Sequence, residues 1–296
     1  MRKALIAVAL LVVTAGCDAS PPATTSDVGA PPAIVEPAIL ANQQTYVPGS
    51  TKARYIYTPA AGVPNGKLLV YVHGGYWKEG SAALPNFLKP LTQQGWAIVS
   101  SAYRLPARNP YGAQDVADTV EYAQRQLGIS PENTVLYGES AGGHLASQVA
   151  YGFNNGKSYG APVGRLVLMS ARWEVAKLAR SNWVGASAMV DGLFGCAVPG
   201  APWFFAPTCS TAKVDDGEPK LLVDAGDPPT FMGGFTGDSM VLPSVGFVAQ
   251  GAALDAVGVT NGFVAGAKSA HYFSTNPYDG GEEEKVVTAL LAAINS

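Results

Sequence analysis

Thr134-Val135-Leu136-Tyr137-Gly138-Glu139-Ser140-Ala141-Gly142-Gly143 is the stretch on which the fold turns. A β-prone apolar run ends at Gly138, and a helical pattern runs from Ser140 to residue 151. A strand that becomes a helix this abruptly forces the apex residue into strained backbone. Glycines two places to either side of Ser140 leave room where side chains would collide. Ser140 then stands at a helix N-terminus, where unpaired N–H groups and the helix dipole favour negative charge.

Outward from this turn, short β-like runs recur at residues 54–57, 68–73, 97–103, 166–170, 230–233 and 262–265. Leu68-Leu69-Val70-Tyr71-Val72 is apolar throughout, as expected of a central strand covered on both faces. Helical patterns lie between, at residues 111–127, 244–257 and 282–294. In the first, Val116, Val120, Ala123 and Leu127 share one face. This alternation predicts an α/β fold: a mostly parallel central sheet with helices on both faces. In such sheets, ligands bind at the carboxyl ends of the strands.

Two further strand ends carry polar residues suited to chemistry. His73-Gly74-Gly75-Tyr76-Trp77 follows the all-apolar strand. Its glycines let the backbone approach a substrate, so Gly75 N–H and Tyr76 N–H, with Ala141 N–H, are candidate donors to a developing oxyanion. His73 and Gly74 support that loop; His73 is either its lock or a base. A serine nucleophile needs a base, and the chain has 3 histidines. His144 sits on the helix of Ser140 with its ring aimed into packing, whereas His271 follows the last strand and is the expected base. Asp224, Asp227, Asp238 and Asp255 all qualify by position for the orienting acid. Asp227 enters the strand at 230–233, and Asp238 leaves it beside the expected histidine.

Composition excludes several classes. Among 296 residues, 48% are hydrophobic and 14% charged, enough apolar matter for a large core and against disorder. The net charge is −3, with no basic run beyond Arg2-Lys3, which argues against a nucleic-acid binder. No metal-ligand spacing is visible, and neither metal nor cofactor is expected. Arg2-Lys3 and the apolar stretch 4–15 read as a secretory signal, too short to span a bilayer. Thr14-Ala15-Gly16-Cys17 is similar to a bacterial lipoprotein signal, which implies that residues 1–16 are removed and Cys17 lipidated; plain secretion is the alternative. Residues 18–44, rich in Pro and small residues, read as a flexible tether to a domain at 45–296. Cys196 and Cys209 then remain as a disulfide pair or as two thiols. The expected setting is the bacterial cell envelope, outside the cytoplasm and anchored to a membrane.

These residues resemble the α/β-hydrolase superfamily, in the branch of hormone-sensitive-lipase-like carboxylesterases and kynurenine formamidases. The likeness runs over residues 45–295 and rests on the turn at Ser140, on His73 to Trp77, on Tyr103-Arg104-Leu105, on Asp115, and on Pro228-Pro229-Thr230 through Asp238. It favours Asp238 over Asp227 and matches His271 to the terminal histidine, although Lys268-Ser269-Ala270 departs from the usual glycine-containing loop. The resemblance implies a cofactor-free Ser140-Asp238-His271 hydrolase of a small-molecule carboxylic ester, working through an acyl-enzyme. Alternatives are an arylformamidase or peptidase of the same fold, or a non-catalytic lipid-anchored binding protein. Residues 171–220 fit the family pattern least and lie where it inserts a cap. They carry Trp173, Trp183, Trp203, Phe204, Phe205 and both late cysteines, and read as a cap or as an excursion with its own small core.

Overall fold

The structure is a computed structural model; it describes residues 41–50, 52–176, 186–196, 209–274, 277–278 and 280–296. The expected signal, Cys17 and most of the tether lie outside these residues. Among the described residues, no helix is long and apolar enough to cross a membrane.

Eight strands form one sheet: β1 Gln44–Tyr46, β2 Arg54–Thr58, β3 Leu68–Val72, β4 Ala97–Ser101, β5 Thr134–Glu139, β6 Arg165–Met169, β7 Thr230–Phe235 and β8 Asn261–Gly266. Their order is β1-β2-β4-β3-β5-β6-β7-β8. β1 and β2 pair antiparallel, as do β2 and β4; every later pairing is parallel. Among the described residues the α-helices are α1 Pro90–Gln93, α2 Tyr111–Leu127, α3 Ala141–Asn154, α4 Ala186–Phe194, α5 Thr211–Asp215, α6 Phe247–Ala256 and α7 Glu282–Asn295.

β1 lies within and beyond the expected tether. Its Gln44 pairs with Ile56, and Asn42 N–H donates to Tyr57 O, so the sheet begins before residue 45. The strand was unreadable because it has three residues, lies at the edge and shows no buried face.

β3 is buried at every position. Leu68, Val70 and Val72 enter one core with α2, α3 and α6, while Leu69 and Tyr71 enter the other with α7. Two-sided burial explains the unbroken apolar run, since strand side chains alternate between faces. Each fully buried Leu or Val contributes roughly 1.5–3 kcal/mol relative to an exposed one. α2 buries Val116, Val120 and Ala123 as its periodicity requires, and Gly128 at φ +63° ends it. Beneath it, Asp115 is fully buried and accepts from Arg104 N (2.8 Å), Nε (2.7 Å) and Nη2 (2.5 Å). Two motif fragments eleven residues apart are thus one bidentate ion pair that pins the segment after β4 to α2.

Between β6 and β7 the described part of the insertion joins the main core. Trp173 packs edge-on against Tyr151 at 5.8 Å, and Phe194, Cys196, Cys209 and Val214 are buried in the α3 core. Trp183, Trp203, Phe204 and Phe205 lie outside the described residues. Cys196 and Cys209 are joined as a disulfide, with Cα atoms 5.3 Å apart.

Candidate active site

Ser140 sits between β5 and α3 at φ +50°, ψ −115°, backbone that non-glycine residues rarely adopt. One tertiary contact and the first turn of α3 hold it there: its N–H donates to Met169 O at 2.9 Å, and its O accepts His144 N–H at 3.1 Å. The flanking glycines are steric necessities. A Cβ on Gly138 would stand 2.5 Å from Gly142 O, and one on Gly142 would overlap the carbonyls of Val72 and His73. The turn at Ser140 therefore packs directly on the end of β3, where the His73 loop begins.

His271 Nε2 lies 2.8 Å from Ser140 Oγ, and His271 Nδ1 lies 2.8 Å from Asp238 Oδ2. The other carboxylate oxygen, Asp238 Oδ1, accepts Met240 N–H at 2.8 Å and Val241 N–H at 2.9 Å. All three residues are buried, and the backbone donors hold the Asp238 carboxylate in place. The rival acids stand elsewhere. Asp227 lies at the opposite end of β7, where it accepts Asp224 N–H and burial pushes its carboxyl up to about 6. Asp224 accepts Gly226 N–H, and Asp255 accepts from Asn261.

The loop bearing His271 is tied at both ends to Glu283, near the start of α7. Lys268 Nζ pairs with Glu283 Oε1, and Ser274 N and Oγ donate to Oε2 at 2.7 and 2.6 Å. Burial alone would raise the Glu283 carboxyl, yet these donors hold it below its ordinary value. Lys268, where the sequence departs from the family's loop, thus has a structural role.

His73 does not reach Ser140. Its Nδ1 lies 2.7 Å from Gly74 O, its ring stacks on Tyr103 at 4.2 Å, and Tyr103 Oη donates to its carbonyl at 2.8 Å. Burial lowers its pKa, and these contacts tie it to the loop and to Tyr103. Gly75 at φ +120° turns that loop, and its O accepts Lys78 N–H and Glu79 N–H at 2.9 Å each. Tyr76 and Trp77 also carry positive φ, so the backbone that bears the candidate donors is strained. His144 is fully buried: Nε2–H donates to Gly217 O at 2.7 Å, and Nδ1 accepts Trp77 Nε1–H at 3.3 Å. Burial lowers its pKa to about 4.

Two residues beside Ser140 went unread in the sequence. The Glu139 carboxyl accepts Tyr137 Oη at 3.0 Å and Tyr71 Oη at 3.2 Å; burial pushes it up to about 7 against the lowering effect of both phenols. Tyr272 follows His271 and packs edge-on against its ring at 4.4 Å. No spacing rule singles out either one.

A family model described as BD-FAE matches residues 55–246, more than half of the chain. Arylacetamide deacetylase of Oryctolagus cuniculus is 37% identical over 93 residues, 28% of this chain and 23% of that protein. Kynurenine formamidase of Danio rerio is 35% identical over 101 residues, 32% and 33% of the respective chains. The matches thus span a third or less of either relative. Among solved structures, an esterase B from Lactobacillus rhamnosis superposes with TM-score 0.64 at 23% identity, covering 86% of this chain and 85% of that one. An acetyl ester-xyloside bifunctional hydrolase from Caldicellulosiruptor lactoaceticus gives 0.64 at 17% identity, covering 85% and 96%. The sheet order, the turn at Ser140 and the family match agree: the chain belongs to the BD-FAE family of α/β-hydrolases.

Proposed function

We propose that this chain is a serine hydrolase of carboxylic esters, with Ser140 as nucleophile, His271 as base and Asp238 as orienting acid. The observation that carries the reading is the pair of 2.8 Å contacts linking Ser140, His271 and Asp238 on a strained, glycine-framed turn. Ser140 Oγ attacks the ester carbonyl while His271 Nε2 takes its proton. Asp238 Oδ2 accepts Nδ1–H throughout and stabilises the imidazolium. Gly75, Tyr76 and Ala141 N–H receive the oxyanion. Collapse expels the alkoxide, which takes the proton from His271 and leaves the acyl group on Ser140. Water, deprotonated by His271, attacks the acyl-enzyme, and the carboxylic acid leaves as Ser140 regains its proton.

The described part of the 171–220 insertion supports the cap reading. Asp191 on α4 pairs with Lys78 at 2.9 Å, and Leu193 O accepts Asn109 N–H at 2.7 Å. A Cβ on Gly192 would meet Tyr76 O at 2.6 Å, so α4 leans on the loop that bears two of the proposed donors. Lipidation of Cys17 and residence outside the cytoplasm complete the proposal.

The test is turnover of p-nitrophenyl acetate, butyrate and octanoate by the Cys17→Ser chain beside the same chain with Ser140→Ala. Loss of the nucleophile should cost about a million-fold in kcat. Equal rates in both proteins would rule out Ser140 as nucleophile. Kynurenine formamidase, among the relatives matched, makes an aryl formamide the next substrate to try.

A further inference from the structure

Tyr272 stands between two spaces. On one side is a cleft of about 350 Å³ lined by His73, Gly74, Gly75, Glu79 and Ser81. On the other is a pocket of about 250 Å³ lined by Asn86, Phe87, Glu139, Phe273, Ser274 and Pro277. Tyr272 lines both, and Glu139, directly before Ser140 in the chain, faces the second. The cleft therefore opens on the proposed oxyanion loop, the pocket is bordered by the residue that precedes the nucleophile, and Tyr272 is the residue common to both.

The ring is held in place. It packs edge-on against His271, with ring planes at 75°. Its phenol interacts with the side chain of Ser140, and a Cβ on Gly74 would stand 2.9 Å from the phenol oxygen. Gly74 is thus the residue that lets the tyrosine close against the nucleophile. Burial pushes the phenol up to about 12.

From this geometry we propose that Tyr272 is a specificity-determining wall: it denies Ser140's substrate the pocket over Glu139 and so limits the size of the ester group on that side. The pocket combines aromatic surface from Phe87 and Phe273 with polar groups of Asn86 and Glu139. Once opened, it should accept a six-membered ring bearing a polar group rather than a long alkyl chain. The inference rests on the serine-hydrolase reading for its kinetic consequence, though not for the pocket itself.

Two measurements on the full chain test it, with Tyr272→Ala, Tyr272→Leu and Tyr272→Phe. The first is kcat/KM for p-nitrophenyl acetate against benzoate, which varies the acyl half, and for phenyl acetate against 1-naphthyl acetate, which varies the alcohol half. Tyr272→Ala, or Leu if Ala does not fold, should raise the large-to-small ratio at least about tenfold in one of the two halves, the scale on which pocket contacts discriminate substrates. Tyr272→Phe keeps the wall and should leave both ratios within about threefold. Unchanged ratios in a folded, active Ala or Leu variant would overturn the proposal. The second measurement is calorimetric binding of benzamide in a Ser140→Ala background, which needs no chemistry. Affinity should rise about tenfold on adding Tyr272→Ala or Leu. No rise would overturn the wall even in a protein without esterase activity, whereas an inactive parent with the expected rise would sink only the serine-hydrolase reading.

Discussion

The turn at Ser140 and the insertion between β6 and β7 both flank the proposed reaction centre, but different forces hold them. At the turn, backbone meets backbone: Gly138 against Gly142, Gly142 against the carbonyls of Val72 and His73, and Ser140 N–H on Met169 O. In the insertion, distant side chains do the holding. Glu218 accepts Val175 and Ala176 N–H, His144 donates to Gly217 O, Asn109 donates to Asp216, and Lys78 reaches Asp191. Backbone crowding admits few residue types and leaves a readable motif. Side-chain docking admits many solutions and leaves almost none.

Substitutions on both sides test this contrast. The largest effect belongs to Asp238→Asn, which preserves shape but presents an amide to His271 and disfavours the working tautomer. Turnover should fall about ten-thousand-fold with the melting temperature nearly unchanged. An effect below about tenfold would remove Asp238 from the mechanism.

Gly142→Ala comes next, because its Cβ would overlap main-chain carbonyls that cannot swing away. It should abolish either folding or activity. Its counterpart in the insertion, Gly217→Ala, meets the Phe194 ring at 2.6 Å and should cost about 1–3 kcal/mol with activity retained. Equal outcomes by thermal melts and turnover would erase the distinction between the two regions.

Replacing Cys196 and Cys209 with serine should cost about 3 kcal/mol in denaturant titrations, by the chain-entropy account. Turnover should change by no more than a few-fold if the core, rather than the bridge, positions α4. A large loss of kcat would show that the bridge shapes the site.

Two buried groups give opposite pH trends. Glu139 is raised from 4.5 to about 7, so between these values the native state holds a proton that the unfolded chain has released, and stability falls as pH rises. His144 is lowered from 6.5 to about 4, so in that window the unfolded chain holds the extra proton, and stability rises with pH. Protonated His144 would also turn an N–H toward Trp77 Nε1–H, which now donates to it. Glu139→Gln should steepen the rise in melting temperature between pH 4.5 and 6.5, and His144→Asn should flatten it; the reverse slopes would contradict both assignments. The smallest effect is that of Lys78→Ala, whose partner Asp191 is half exposed. It should cost less than about 1 kcal/mol by thermal melts.

Much of the fold was legible before the structure. Two-sided burial makes β3 apolar throughout, and the helical period places Val116, Val120 and Ala123 inside. Three-residue β1 escaped because an edge strand with both faces partly exposed carries no alternation. At the site, Ser140 and His271 could be named from spacing and elimination. The residue pattern already favoured Asp238, which leaves the strand on the side of the expected histidine, over Asp227, which enters it; their placement at opposite ends of β7 shows the distance between them. Glu139 and Tyr272 stayed invisible because their importance comes from what surrounds them.

Local rules, written residue by residue, say where the backbone must bend: steric exclusion at Gly138 and Gly142 and burial periodicity in the strands. Tertiary contacts bring Asp238 to His271 and set what Glu283 clamps and where Tyr272 stands. Those are meetings between residues far apart in the chain, and only the assembled sheet sets their distances.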